Sequence, residues 1–211
     1  MREKGVRLFR SGWLECLTYM PFPVFVVAWL VILSGLAANL VIQPIPPVRA
    51  VAMVACGLAV WFFFEYVMHR HLFHMAFRSA IGQRFVFIMH GNHHDYPRDP
   101  LRNLMPLIVS LPRAVVLETL FCLVMGYDWG RPFFLGFVAG YVLYDGMHFA
   151  MHQWRFSNAL LRRIQIHHLR HHYHDHETNY AVTAIFIDRL FGTCARKHHG
   201  QADRSEVRRR A

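Results

Sequence analysis

The amino-acid sequence predicts an all-α integral membrane protein with about four transmembrane helices and a helical cap on the cytosolic side. Three observations lead to this prediction: long uncharged apolar runs, an uneven distribution of Lys and Arg, and histidines grouped at helical spacing. Hydrophobic residues make up 55% of the 211 residues and charged residues only 17%. This composition is more apolar than that of an ordinary soluble domain.

The first two membrane helices are predicted from apolar runs. Phe22–Ile42 is an uncharged run of 21 residues, long enough to cross a hydrocarbon core of roughly 30 Å as a helix. Prolines within residues 44–47 then predict a tight turn. The second helix should begin near Val48 and run past Glu65, carrying His69 with it. A cleavable signal peptide fits less well, because the apolar run starts late and is long for such a segment.

The second pair of membrane helices is predicted to be less regular. Residues 104–125 are apolar but contain Pro112 and Arg113, and a charge at the bilayer centre costs at least about 2.5 kcal/mol. We therefore expect an interfacial piece ending near Pro112 and then a short helix. The remaining predicted elements are the short helix 113–125, a turn at 126–131, a fourth helix at 132–152 and a mostly helical segment after Trp154.

The basic residues predict the orientation in the membrane. The formal net charge is +10, and of the 23 Lys and Arg four precede Tyr19, five lie between residues 66 and 103, and eleven follow Met151. This positive-inside pattern predicts a multi-pass protein with both termini and the histidine site on the cytoplasmic side. It argues against a nucleic-acid partner, which would require basic residues interleaved with exposed aromatics. The predicted single domain, 1–211, divides into an interfacial segment (1–20), membrane helices with an inserted cytosolic histidine segment (21–152) and a cytosolic cap (153–211).

Histidine spacing is the strongest signal in the sequence. Of 16 histidines, 14 lie between His69 and His176, and ten of these form four groups. Residues three or four apart share one face of a helix, and the five-residue step in the first group suits a helix end or a local distortion. Each group lies near the cytoplasmic end of a predicted membrane segment, so all four can converge. The groups are His69 and His74; His90, His93 and His94; His148 and His152; and His168, His171 and His172.

Ten imidazoles predict two metal ions rather than one. Imidazole binds iron, zinc, copper and nickel well, whereas structural zinc needs four ligands, usually including cysteine. The pattern favours a dimetal site in the cap that activates O2, with two ions that we expect to be iron and for which zinc could substitute. A metal transporter or store fits less well, because its ligands should lie near the bilayer midplane and residues 22–64 contain no histidine. We expect His71, His198 and His199 to be peripheral, and leave His167, His174 and His176 undecided.

Taken together, the motifs resemble the fatty acid hydroxylase and sterol desaturase superfamily, and within it the fatty acid 2-hydroxylase branch. The resemblance covers approximately residues 8–194 and includes the N-terminal RLFRSGWLECLT. Any single HxxHH motif would be a weak signal, but the combination is specific. The matching segments are EYVMHRHLFH at 65–74, HGNHHDYPRDPLRNLMP at 90–106, GYVLYDGMHFAMH at 140–152, HHLRHHY at 167–173 and NYAVTAIFIDRLFGT at 179–193.

This resemblance implies roles for particular residues. It implies that the ten grouped histidines are the ligands of the two metals, and that a cap of cytosolic helices lies over four membrane helices. It also places Tyr144 and Asp145, one helical turn before His148, beside the metals as candidate catalytic residues. Asp145 could accept a hydrogen bond from a ligand imidazole and fix its tautomer, or it could be an ordinary helix-end charge. Asp95, Asp175 and Asp188 are further candidates for the same task.

The resemblance also implies a reaction, namely hydroxylation of a lipid acyl chain, most specifically at carbon 2 of a fatty acid. Such a monooxygenation consumes O2, two electrons and two protons. Many eukaryotic members carry a fused cytochrome b5 domain; here we expect a separate electron donor, either cytochrome b5-like, ferredoxin-like or a reductase. The alternatives are a sterol, carotenoid or aminolipid hydroxylase or desaturase on the same scaffold and, from another class, a non-catalytic metal-binding membrane protein.

Overall fold

The computed structural model describes residues 6–195, and every regular element in this range is a helix, as predicted. By their internal contacts, the described residues fall into two compact units. The hydrophobic unit comprises Arg7–Phe63 and Leu104–Asp145, and the histidine unit comprises Phe64–Asn103 and residues 146–195. The elements in chain order are α1 (Gly12–Cys16), α2 (Phe22–Ile42), α3 (Pro47–Val67), the π-helix π1 (Met68–Phe73), α4 (Ala80–Val86), the π-helix π2 (Phe87–Gly91), α5 (Asn92–Asp95), α6 (Leu107–Met125), α7 (Tyr127–Gln153), α8 (Ala159–Tyr173) and α9 (Phe186–Leu190).

Four helical segments in the described chain are long and apolar enough to cross a membrane, which agrees with the predicted number. Aliphatic side chains on α2 and α6, among them Val31, Val41 and Leu123, are largely exposed. Such a surface suits lipid rather than water. The chain is therefore a multi-pass membrane protein. The segments are Phe22–Ile42, Pro47–Phe73, Leu107–Met125 and Tyr127–Gln153.

Helix α2 begins at Phe22, one residue after the predicted start at Pro21, and ends at Ile42 as predicted. Pro21 is the N-cap and a second proline lies in the first turn, where the missing N–H would have no partner in any case. At 1.5 Å per residue, its 21 residues span roughly 30 Å. The prolines after Gln43 prevent the helix from continuing, and α3 begins at Pro47.

The predicted break at Pro112 is wrong, because α6 is one continuous helix of 19 residues, Leu107–Met125, with this proline inside it. The second reason for predicting a break was the charge of Arg113, and the contacts of its side chain show how α6 accommodates that charge. Arg113 Nε donates to the carbonyl oxygen of Val109 at 3.1 Å, and its guanidinium also contacts the Met105 sulfur. The side chain thus reaches back toward the helix N-terminus, so that its charge lies nearer the end of the segment than its Cα does.

The predicted turn at residues 126–131 is also wrong. Gly126 alone makes the turn, with a φ of 82°, a left-handed conformation that glycine adopts without steric cost. The N–H groups of Trp129 and Gly130 donate to the Gly126 carbonyl at 3.2 and 2.8 Å. Helix α7 therefore begins at Tyr127, five residues earlier than predicted, and Pro132 lies within it.

Helices α3 and α7 approach closely in the hydrophobic unit. A Cβ on Gly57 would lie 1.9 Å from the Phe133 carbonyl oxygen, and one on Gly136 would lie 1.9 Å from the Val54 carbonyl oxygen. Only glycine permits these backbone contacts. Farther along the same helices, the Trp61 and Phe137 rings meet edge to face with centroids 5.0 Å apart.

The N-terminal segment is held by one buried carboxylate. Glu15 accepts the backbone N–H groups of Leu8 and Phe9 at 3.0 and 2.8 Å. Trp13, in the short helix α1, is 83% exposed. That the N-terminal segment 1–20 lies along the membrane surface stays a prediction.

Within the histidine unit, the end of α7 and helix α8 are joined by Gln165. This buried side chain donates at 2.8 Å to the carbonyls of Met151 and Trp154. Carbonyl groups at a helix C-terminus have no intrahelical partner, so Gln165 both satisfies them and fixes the position of α8.

Candidate metal centre

The first histidine group lies at a π-helix. In a π-helix, hydrogen bonds run from i to i+5, which suits the five-residue step between His69 and His74. Their ring centroids are 5.1 Å apart. His69 is buried within π1, and His74 follows its last residue and is half-buried. The local distortion predicted for this group is therefore the π-helix π1.

The second group begins within a π-helix. His90 lies in π2, while His93 and His94 lie in the short helix α5. The buried Asn92 side chain donates to the carbonyls of Phe87 and Ile88 at 2.9 and 2.8 Å. These bonds satisfy two backbone carbonyls of π2, and they stabilise the segment that carries the three imidazoles.

The third and fourth groups lie on regular helices. His148 and His152 are four residues apart at the end of α7, with ring centroids 5.0 Å apart. His168 and His172 have the same spacing on α8 and lie with centroids 4.6 Å apart. This is the shared face that the spacing predicts.

The structure brings all ten predicted ligands together in two sets of five. Within each set the candidate ligand nitrogens all lie within 4.8 Å of one another. Each HxxHH motif contributes to both sets, so residues on one helical face serve two different centres. Site A comprises His69, His74, His90, His94 and His171, and site B comprises His93, His148, His152, His168 and His172.

Hydrogen bonds define which nitrogen faces site A. The Nδ1 of His69 lies 2.5 Å from the Tyr180 carbonyl oxygen, and the Nδ1 of His171 lies 2.7 Å from that of Thr178. Because a carbonyl only accepts, each Nδ1 carries the proton and donates it. A neutral ring then presents a lone pair at Nε2, which is the atom a metal needs.

The buried nitrogens fit metal ions. Among the described residues, both ring nitrogens of His93 and of His172 are buried without a hydrogen-bond partner. Burying polar groups in this way is costly unless something satisfies them. The Nε2 atoms of His69 and His90 also face each other at 3.0 Å, a geometry that a shared cation would explain. The donor set therefore suits two transition-metal ions.

Burial keeps these imidazoles neutral. It lowers the pKa of His90, His93 and His168 well below the usual value, because a buried site disfavours the imidazolium charge. At the half-buried His74, burial lowers the pKa to about 4 although Glu177 opposes the shift. Metal ligands must be deprotonated, so the site is prepared for metal at neutral pH.

The undecided histidines lie at the edge of the site. His167 Nε2 donates to the buried Asp188 carboxylate at 2.8 Å. His176 is exposed, with its ring centroid 4.6 Å from that of His94. His71 and His174 are exposed. His198 and His199 lie outside the described residues.

Tyr144 and Asp145 lie in the hydrophobic unit, on the same helix as His148. The Asp145 carboxylate accepts from the Met105 N–H and the Tyr141 hydroxyl, each at 3.0 Å. A role for either residue beside the metals stays a prediction. Sequence reasoning missed the carbonyls of Thr178 and Tyr180, because backbone acceptors leave no side-chain signal.

The fold and the site together define a class: a multi-pass, all-α membrane protein with a histidine-lined centre suited to two metal ions. Comparison with known families narrows this class. The model of the fatty acid hydroxylase family matches residues 54–193, so the chain belongs to that family. It is accordingly an oxidoreductase of lipid metabolism.

Several relatives are similar over most of this chain. The dihydroceramide fatty acyl 2-hydroxylase FAH1 of Arabidopsis thaliana is 28% identical, covering 90% of this chain and 81% of the relative. The ceramide very long chain fatty acid hydroxylase scs7 of Schizosaccharomyces pombe is 34% identical, covering 91% and 56%. A solved structure of full-length scs7p, in which only the hydroxylase domain is visible, matches with a TM-score of 0.82 at 30% identity. That match covers 89% of this chain and 72% of the solved one.

Proposed function

We propose that this chain hydroxylates carbon 2 of a lipid acyl chain, using two metal ions bound by the ten grouped histidines. The single observation that carries the proposal is the meeting of two sets of five imidazoles, each within 4.8 Å. The relatives support the substrate class, since several are fatty acid 2-hydroxylases or dihydroceramide fatty acyl 2-hydroxylases. Site A and site B are the proposed ligand sets.

Iron is the proposed metal. Two iron ions ligated by imidazole would supply the activation of O2 and the two-electron chemistry that hydroxylation of a C–H bond requires. The chain's own contribution is to hold neutral imidazoles and to exclude water. All five residues of site B are buried or nearly so, whereas His74 and His94 of site A are half-buried. Site A is therefore the more accessible of the two.

The position of the ligands along the chain supports attack near the polar end of the lipid. His69 lies near the end of the span Pro47–Phe73, and His148 and His152 lie near the end of the span Tyr127–Gln153. The end of a span lies near the membrane surface. A carbon next to the acyl carbonyl would lie at that depth, while the tail would extend into the hydrocarbon.

We place the site and both termini on the cytoplasmic side, following the distribution of Lys and Arg. A cytoplasmic site would receive its electrons from a separate soluble or membrane-bound donor of the cytochrome b5, ferredoxin or reductase type. Tyr144 and Asp145 are proposed to lie beside the metals, one helical turn before His148.

Lipid mass spectrometry tests this function. Cells that express the chain should gain lipids with one added oxygen at carbon 2 of an acyl chain, and cells that express His168→Ala should not. Oxygen on a ring or headgroup, or loss of two hydrogens, would identify a different lipid oxidation. Metal binding without oxygen consumption under any reductant would instead indicate a non-catalytic metal-binding protein.

A further inference from the structure

The loop between α8 and α9 supplies backbone carbonyls to two imidazoles of site A. The Thr178 carbonyl accepts from His171 Nδ1 at 2.7 Å, and the Tyr180 carbonyl accepts from His69 Nδ1 at 2.5 Å. These bonds fix both the tautomer and the orientation of each ring. A residue that fixes the conformation of this loop therefore also fixes the orientation of two of the five rings of site A.

A single buried carboxylate holds the loop. Asp188 is 0% exposed and accepts four hydrogen bonds from three parts of the histidine unit. The backbone N–H groups of Tyr180 and Ala181 donate at 2.9 Å each, the Thr193 hydroxyl at 2.7 Å and His167 Nε2 at 2.8 Å. Because a buried carboxylate is costly unless fully bonded, the four donors are constrained to converge on it.

The connection to the ligand runs through one residue. Tyr180 donates its N–H to the Asp188 carboxylate, and its carbonyl accepts from the His69 imidazole. The carboxylate and the imidazole thus both bond to the backbone of one residue. The preceding Asn179 adopts a left-handed φ of 57°, which is uncommon for residues other than glycine. Its side chain donates to the His167 carbonyl at 3.1 Å and accepts the Ala195 N–H at 2.8 Å. The loop conformation is thus fixed at several points.

We propose that Asp188 is a positioning residue for site A, acting through the loop carbonyls on His69 and His171, and that it has little effect on site B. The proposal rests on the proposed metal centre. Both loop carbonyls serve site A, whereas His148 of site B bonds through Nδ1 to the Asn103 carbonyl at 3.1 Å, outside this loop. Loss of the carboxylate should therefore lower the affinity for one of the two metal equivalents and leave the other unchanged.

The test is metal titration of the purified full chain with zinc, a redox-silent probe, in competition with a chelator. The wild-type chain should bind two equivalents. Asp188→Asn, which keeps the shape but turns an NH2 group toward N–H donors, should bind one normally and the other about 10–100-fold more weakly. The matched control is Asp175→Asn, the same chemical change in the same loop, since this carboxylate is exposed and accepts the Glu177 N–H at 3.0 Å rather than the ligand imidazole that the sequence offered as its partner. It should behave as wild type.

Pairing the substitutions identifies the affected site. In a His168→Ala background, which retains site A, adding Asp188→Asn should lower the affinity for the remaining metal equivalent. In a His171→Ala background, which retains site B, it should change nothing, because the effects of unconnected sites add independently. A general structural role would weaken both equivalents alike and would overturn the proposal.

The remaining outcomes are also decisive. A wild-type chain that binds no metal would refute the proposed centre itself, whereas wild-type binding of two equivalents with unchanged affinities in Asp188→Asn would refute only the role of this residue. If Asp188→Asn fails to fold, Thr193→Val removes one donor and leaves the carboxylate in place. It should weaken the same single equivalent to a smaller degree, and unchanged binding would overturn the proposal.

Discussion

The Nε2 atoms of His74 and His171 lie 3.1 Å apart, although 97 residues separate them in the chain. His171 donates its Nδ1 proton to Thr178, so its Nε2 turns a lone pair toward His74. Two motifs that are distant in sequence thus serve one site. This relationship makes each ligand of site A testable by itself.

His74→Ala should lower hydroxylase activity by more than about 100-fold, since even residues that only support a ligand cost 10–100-fold, and it should remove one equivalent of metal. His71→Ala is the matched control, because this neighbour in π1 is exposed and should leave both quantities unchanged. Product formation and metal content are measured on the same preparation. Equal losses in both variants would contradict the assignment of His74.

Metal exchange should separate binding from catalysis. Removing metal with a chelator should abolish oxygen consumption, and ferrous iron should restore it. Zinc should bind the same imidazoles without restoring turnover, because it has no redox chemistry. Full recovery with zinc would contradict iron as the proposed metal.

Histidine spacing predicted which residues meet, because residues three and four apart on a helix must share a face. It could not predict the division between the sites, since His93 serves site B while its neighbour His94 serves site A. The regular helix α8 divides its histidines in the same way, with His171 in site A and its neighbour His172 in site B, so the division depends on which other groups lie opposite each ring. Likewise, Pro112 and Pro132 suggested helix boundaries, but both lie within continuous helices, and the turn before α7 falls at Gly126 instead.

Stability of the metal-free protein should fall as the pH falls. Burial places the folded-state pKa of His168 and His172 well below the unfolded value of about 6.5. Between these two values the unfolded chain binds more protons than the folded chain, so acid favours unfolding. Each such histidine contributes about 1.4 kcal/mol per pH unit in this window.

Chemical unfolding of the metal-free chain in detergent, between about pH 7 and pH 5, measures this slope in the window that linkage defines. His172→Gln removes one of these titrating groups and should flatten the slope. A free energy of unfolding that stays constant or rises toward pH 5 would show that these rings are not neutral in the folded state.

Orientation can be tested with single cysteines in a background that lacks Cys16, Cys56, Cys122 and Cys194. Gln43 follows α2 in the turn without basic residues, and Glu177 lies in the loop after α8; both are exposed. The positive-inside rule predicts that Gln43 and Glu177 lie on opposite faces of the membrane. An impermeant thiol reagent that reaches only the non-cytoplasmic face of sealed membranes should therefore label Gln43→Cys and spare Glu177→Cys. Lysed membranes provide the control, in which both should react, and the opposite pattern would reverse the proposed topology.

The glycine contact between α3 and α7 should determine much of the stability of the hydrophobic unit. Membrane helices associate closely where small residues let their backbones approach. Gly136→Ala would place a methyl group 1.9 Å from the Val54 carbonyl oxygen, and a backbone carbonyl cannot rotate away as a side chain can. The helices must therefore separate, at a cost of about 1–3 kcal/mol.

Gly35→Ala is the matched control, since this glycine lies within α2 and a Cβ there would meet no atom within 4 Å. Alanine should be neutral there or stabilise the helix by up to about 1 kcal/mol. Thermal unfolding in detergent compares the two variants with Gly57→Ala, which faces the Phe133 carbonyl across the same interface. Because these two glycines share that interface, their double substitution should cost less than the sum of the single effects. A Gly136→Ala protein as stable as Gly35→Ala would mean that the close approach of α3 and α7 does not hold the unit together.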